Sequence, residues 1–389
     1  MKTRLRTGPS LARLAASTAD ISRYAPLRYQ PVHENAEGWV VARPDDVAAA
    51  LSSAALTVGT ASQPPGAARR LQAQMARFTD GPAHQRRREL VQSLLPDPAR
   101  LERDAWSMTS AGLAGRRGRW DAMELARQVP CAVLAASLGT APETIGAAAE
   151  TADVVPGAAD VVPGAADVVP RAADVVPRAA SSVADLTGQL CAVLAPRSAA
   201  GLASGDTPAN DGDTPANDGD AAEGDAAATA LLAEMATPDG EERAVAAVSI
   251  LFQAHDATAG LIGLALCAAA GHPQASATDL VGLAERGDPP VQCTRRVAAR
   301  PVTIGGVTIP AGALVWVLLA TADRGDPWPP ATFGGGPHAC PARMAATALA
   351  RGVVGAILDG GWRPVPGQPV GYEPRPNLRI PVSVLLERS

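Results

Sequence analysis

The sequence predicts a mainly helical protein with a small β-rich part, and three stretches carry that prediction. "AVAAVSILFQAHDATAGLIGLALCAAAG" (244–271) is long and apolar nearly all round, the pattern of a central helix buried on every side. From about residue 67 to 149 the pattern is again helical, with breaks expected near Gly81-Pro82, Pro96, Gly118 and Pro130. "RPVTIGGVTIPAGALVWVLLATAD" (300–323) instead gives strand, Gly-Gly turn, strand and Pro-Ala-Gly turn, a β-hairpin signal.

The remaining elements follow in chain order. Alternation around "GWVVAR" (38–43), then Pro44, Asp45 and Asp46 before an alanine-rich run, reads as a small hairpin followed by a capped helix. A helix is expected from about Ala342 to Leu358, then a Pro/Gly-rich strand region to the end. The middle of the chain is different. "ADVVPGAADVVPGAADVVPRAADVVPRA" (152–179) repeats a seven-residue unit four times, and "DTPANDGDTPANDG" (206–219) repeats another twice. A seven-residue period invites a coiled coil, but a proline in each unit of the first tract costs a helix interior about 3 kcal/mol. Tandem duplication into a tolerated surface insertion, residues 151–225, is the better reading.

Bulk properties narrow the function classes. The 389 residues are 47% hydrophobic with a formal net charge of -5, which suits a packed soluble globule. No basic stripe announces nucleic acid. No uninterrupted apolar run of about 18 residues suggests a membrane span, and the start "MKTRLRTGPSLARLAAS" has only brief apolar stretches, so a cytoplasmic protein is expected. The five cysteines (Cys131, Cys191, Cys267, Cys293, Cys340) are odd in number, scattered and free of C-x-x-C pairing, which argues against both a disulfide framework and a zinc cluster.

One cysteine stands apart. In "ATFGGGPHACPARMA" (331–345), Cys340 follows three glycines and a histidine and precedes a small-residue helix. A glycine-rich loop can wrap closely around something flat, and a thiolate within it can hold a metal. The string Phe333-Gly-Gly-Gly336-Pro-His338-Ala-Cys340 resembles the haem-ligand loop of the cytochrome P-450 superfamily, F-x-x-G-x-H/R-x-C. In that family the cysteine thiolate is the axial ligand of haem b (iron protoporphyrin IX).

The resemblance extends along most of the chain. "FTDGPAHQRRREL" (78–90) is similar to the family's H-x-x-x-R helix and puts His84 and Arg88 one turn apart, able to pair with haem propionates. "PPVQCTRRVAARPVTIGGVTIPAG" (289–312) is similar to the segment whose arginine reaches the other propionate, which falls on Arg296 with Arg295 as its surface-exposed neighbour. "AHDATAG" (254–260) resembles the oxygen-binding stretch of the central helix, where an acid followed by a hydroxyl residue relays protons. Asp256 matches the acid. Position 257 is alanine where the alcohol usually stands, and Thr258 lies one residue on, about 100° around the helix. Proton delivery is then expected to lean on water, Thr258 or a substrate hydroxyl.

Two family features are missing. The family's Glu-x-x-Arg brace puts its arginine at Arg286, but three residues earlier stands Leu283, and Glu285 is adjacent, where side chains do not face each other. The stretch "DRGDPWPPAT" (323–332) is shorter than the family's usual meander and lacks its arginine.

The resemblance therefore implies the P-450 fold, a helical prism with a small β-rich subdomain, as one unit over residues 1–389. It implies a haem-thiolate monooxygenase that takes electrons from a ferredoxin and ferredoxin reductase, uses O2, and acts in bacterial specialised metabolism on a small-molecule or carrier-tethered organic substrate. Cys340 would ligate the metal. His84, Arg88, Arg296 and His338 would hold the propionates, Phe333 and Gly336 would shape the loop, and Asp256, Ala257 and Thr258 would define the proton route. The repeats fall where the family roofs its substrate pocket, so an open distal pocket is expected. Two alternatives stay open: a non-catalytic helper protein of the same fold, and an enzyme of that fold that couples or rearranges its substrate without hydroxylation.

Overall fold

The computed structural model describes residues 24–58, 73–138, 238–325, 329–373 and 377–388. The repeat insertion at 151–225 and the roof expected there lie outside the described residues.

After a 3-10 turn at Ala25–Tyr29 come strands β1 (His33–Asn35) and β2 (Gly38–Val41) and helix α1 (Pro44–Ser52). This is the hairpin and helix the sequence predicts, except that the residue at the helix cap is Arg43, which makes no side-chain cap bond. Pro44 and the two acids of the first turn supply the start instead, through a preset φ and a favourable helix dipole. After the short β3 (Leu56–Thr57) come α2 (Gly81–Leu94), α3 (Pro98–Leu113), β4 (Trp120–Asp121) and α4 (Met123–Ser137). Gly81-Pro82 opens α2, and Asp97 caps α3 by accepting from the amides of Ala99 and Arg100.

The break expected at Pro130 does not occur. Pro130 sits inside α4 and is itself buried, and burial of Leu125, Ala126, Val129, Val133 and Leu134 outweighs the lost backbone bond.

The central helix α5 (Pro238–Ala269) is flanked by α6 (Ala277–Gly287), which starts with a reciprocal capping box between Ser276 and Asp279. Strands β5 (Cys293–Ala298), β6 (Val302–Ile304), β7 (Val307–Ile309) and β8 (Leu314–Leu318) follow, then α7 (Arg343–Asp359), β9 (Trp362–Pro364) and β10 (Leu385–Arg388). The Gly305-Gly306 turn joins β6 to β7, as expected. β8 leaves that hairpin for a five-stranded sheet of order β1-β2-β8-β5-β3, in which β2 and β8 run parallel.

Two cores result. α2 to α7 share one, built around Leu101, Met123, Leu134, Ile262, Leu266, Leu280 and Trp362. Its tightest crossing is at Gly352 of α7, where a Cβ would lie 2.3 Å from the carbonyl oxygen of Glu102 on α3. The sheet packs Val41, Val315 and Val317, joined by Ile309 of the β6–β7 hairpin, against Val47, Ala50 and Leu51 of α1. Residues Val245–Ala269 of α5 are long and apolar enough to cross a membrane, but 61% of the most apolar window is buried, which identifies a core helix.

Candidate functional site

The cysteine loop lies where the two cores meet. It consists of two short 3-10 turns, Ala331–Phe333 and Gly336–His338, and it leads into α7. Its shape requires glycine at one position above all. Gly336 has φ +62, and a Cβ there would lie 2.2 Å from the carbonyl oxygen of Leu51 at the end of α1. Only a residue without a side chain can take both the left-handed conformation and the close approach. The loop closes on itself through the Cys340 amide, which donates to the Phe333 carbonyl at 2.8 Å.

His84 and Arg88, expected from the sequence to pair with haem propionates, here meet the backbone of this loop. His84, 6% exposed, lies with Nε2 3.0 Å from the Pro337 carbonyl and Nδ1 2.9 Å from the Ala76 carbonyl. Its ring lies 4.0 Å, centroid to centroid, from that of His338. Arg88, one turn along α2, donates to the carbonyl of Ala339. One face of α2 therefore holds two loop carbonyls, those of Pro337 and Ala339, while Arg86 and Arg87 pair with Glu242 of α5.

Arg296 on β5 is also buried, and its guanidinium donates to two neutral oxygens, Thr294 Oγ1 at 2.8 Å and the Arg295 carbonyl at 2.7 Å. Burial lowers its pKa, Asp80 raises it and Arg77 lowers it again, so these three charges lie close together. Arg295 is half-buried rather than a surface residue, with its guanidinium carbon 5.7 Å from the Trp316 ring centroid.

The sequence reading missed Arg77 and Asp80. Asp80 precedes α2 and looks like a cap, yet it makes no cap bond. Its Oδ1 lies 2.9 Å from His338 Nε2 and its Oδ2 accepts from the Val58 amide at 3.2 Å. Burial depresses the His338 pKa, which the Asp80 hydrogen bond partly offsets. Burial likewise pushes the Cys340 thiol up, against the Ala342 amide and the charges of Arg88, Arg343 and Arg77, which favour the thiolate.

The polar stretch of α5 is organised separately. His255 Nδ1 lies 2.9 Å from Asp256 Oδ1, and Gln253 donates to the Ser249 hydroxyl at 2.6 Å. Asp256 is half-buried, and its charge, after burial itself, helps to push the Cys131 thiol on α4 up to about 12. Ala257 is half-buried and Thr258 is 2% exposed.

The Glu-x-x-Arg pair is absent, and Arg286 and Glu285 each meet another partner. Leu283 is 42% exposed, and Arg286 Nη1 reaches Oδ1 of Asp323, the first residue of the shortened stretch, at 2.8 Å. Glu285 Oε1 accepts from Thr347 Oγ1 of α7 at 2.6 Å.

Comparison with known proteins gives the following. No family model matches the chain. Vitamin D(3) 25-hydroxylase of Pseudonocardia autotrophica is 38% identical over 100 residues, which cover 23% of this chain and 25% of that protein. Among solved structures, CalO2 superposes with a TM-score of 0.71 at 22% identity, covering 99% of each chain. P450BioI, solved with hexadec-9Z-enoic acid ligated acyl carrier protein, gives 0.69 at 19% identity over 95% of this chain and 98% of that one. A mutant of P450 EryK in complex with erythromycin B gives 0.68 at 20% identity over 98% of each.

Proposed function

We propose that this chain, which has the cytochrome P450 fold, is a haem-thiolate monooxygenase that inserts one oxygen atom of O2 into an organic substrate. The second oxygen atom leaves as water, which consumes two protons and two electrons. The observation that carries the reading is the meeting of Cys340, His84, Arg88, Arg296 and His338 around one glycine loop, drawn from three separate parts of the chain.

The residues fit haem b on two counts. Burial raises the Cys340 thiol, but the Ala342 amide and the charges of Arg88, Arg343 and Arg77 pull toward the thiolate, and a bound metal cation would supply the remainder. Among the described residues the cations Arg77, Arg88 and Arg296 lie near the acid Asp80 and outnumber it, and Arg296 is buried with neutral hydrogen-bond partners, an arrangement suited to a group carrying two carboxylates. Bound there, haem would supply dioxygen binding and its reductive activation.

The chain's own residues would do the rest. Cys340 would hold the metal, and Phe333 and Gly336 would set the loop that presents it. His84, Arg88, Arg296 and His338, with Arg77, would neutralise the propionate edge. Asp256, held by His255, would accept a proton from solvent and pass it along α5. Ala257 offers no hydroxyl, so Thr258, water or the substrate would complete the path.

Electrons would come from a ferredoxin through a ferredoxin reductase, in the cytoplasm of a bacterium, within specialised metabolism. The acyl carrier protein bound to P450BioI supports a carrier-tethered substrate as one form the substrate can take. Ala257 also favours a second reading, coupling or rearrangement of the substrate without oxygen insertion, because such a reaction does not depend on the alcohol's proton relay.

The test is the carbon-monoxide difference spectrum of the reduced protein, expressed with a haem precursor. A Soret band at the red-shifted thiolate position, lost in Cys340→Ala, is the expected result. No haem uptake, or an unchanged band in Cys340→Ala, overturns the reading, and product analysis with a bound substrate separates insertion from coupling.

A further inference from the structure

The loop's supports raise a question that the Glu-x-x-Arg pattern leaves unanswered: what holds Arg286 and the loop in a chain with Leu283 at the acid position? The contacts of α6 give the answer. Arg286 is paired at 2.8 Å with Asp323, and both side chains are about a quarter exposed, at 28% and 23%. The backbone of Asp323 is fixed in turn by Arg28, whose Nη2 donates to the Asp323 carbonyl at 3.0 Å. One residue back, Glu285 accepts from Thr347 on the helix that leaves the loop. A third tie joins them, since the buried Thr332 hydroxyl lies 3.3 Å from the Val291 amide and 3.4 Å from the Val291 carbonyl.

Adjacent residues on a helix point in different directions, here toward opposite ends of the same loop. Arg286 reaches the segment that enters it and Glu285 the helix that leaves it. We propose that Asp323 and Glu285 are positioning residues that together replace the absent acid at position 283: Asp323 anchors Arg286 to the entrance of the cysteine loop, and Glu285 anchors α7 through Thr347. The proposal rests on the reading that Cys340 ligates haem. Neither residue touches the cofactor; each acts on where the Cys340 backbone sits.

The experiment is a double-mutant cycle on haem-loaded protein with Arg286→Ala, Asp323→Ala and the two combined, scored by the rate of haem transfer to excess apomyoglobin and by the thiolate share of the ferrous carbonyl spectrum. Asp323→Ala is expected to speed haem loss about tenfold, which corresponds to about 1.4 kcal/mol. The combined variant should lose haem no faster than Arg286→Ala alone, and Asp323→Glu should restore most of the loss. Thr347→Val should lower the thiolate share without affecting the Arg286 cycle.

Wild-type haem retention in Asp323→Ala, or losses that simply add in the combined variant, overturns the proposal. Where Asp323→Ala does not fold, Asp323→Asn keeps the shape and removes the charge, and wild-type behaviour in it overturns the proposal equally. If the wild-type chain takes up no haem, the proposed function fails instead. The pairing is then judged by thermal unfolding of the same four proteins, where additive shifts overturn it.

Discussion

The cysteine loop and the polar stretch of the central helix are held in opposite ways. The loop is tied from outside, by His84 and Arg88 of α2, Asp80 before it, Leu51 of α1 and Thr332 to Val291. In the polar stretch of α5 the bonds run along the helix, Gln253 to Ser249 and His255 to its neighbour Asp256. A loop with no regular backbone ladder needs outside partners to have one shape, whereas a buried helix already has its shape and leaves its side chains free for chemistry. Substitutions in the loop should therefore act on assembly, and substitutions in the helix on turnover.

The largest effect is expected at Gly336. Gly336→Ala puts a Cβ into the Leu51 carbonyl from a left-handed backbone, so the loop must move. The backbone conformation alone costs about 1–2 kcal/mol, and the contact adds to it. Purified Gly336→Ala should hold little haem and show no thiolate carbonyl band; normal haem content would show that the loop adapts and would blunt the contrast.

Next comes Asp256→Asn. A group that moves protons without holding the cofactor should slow turnover by about 100-fold, the lower range for general acid–base catalysis, with haem content unchanged. Loss of haem in this variant would make the helix stretch structural after all. Ala257→Thr supplies the absent hydroxyl and should raise product formed per electron consumed by a few-fold, as expected of an added proton donor. No rise would favour the coupling reaction.

How much of this was legible in the sequence follows from the same contrast. Local pattern fixes helices with an apolar face, and α2, α3, α5 and α7 start near the expected residues because glycines and prolines punctuate the chain there. Pro130 misled, since the cost of a proline is local while the burial that offsets it is not. The loop's candidate residues were legible because they share one short string. Their supports were not: Asp80 reads as a helix cap but bonds to His338, 258 residues away, and Asp323 reads as a loop acid but meets Arg286, 37 residues away. Pairing at such separation leaves no periodic trace. Only the absence of the expected acid at Leu283 could have prompted a search for a substitute.

The smallest effect sharpens the comparison at Glu285, where a support of the loop also carries a buried charge. Burial raises its pKa above the ordinary value of 4.5, with the Thr347 hydrogen bond and the charges of Arg351, Arg286 and Arg343 pulling the other way. A raised carboxyl pKa means that the folded protein holds this proton more tightly than the unfolded chain does. The associated stability is present below about pH 4.5 and is lost as pH rises through the folded value. Glu285→Gln keeps an oxygen for Thr347 and carries no charge to bury. Its melting temperature should therefore gain on the wild type as pH rises across that window, by a few degrees at most, while haem retention stays the same. A melting difference that does not change with pH would mean that the three arginines compensate the buried carboxylate in full, and that Glu285 serves the loop through its charge as well as through its bond to Thr347.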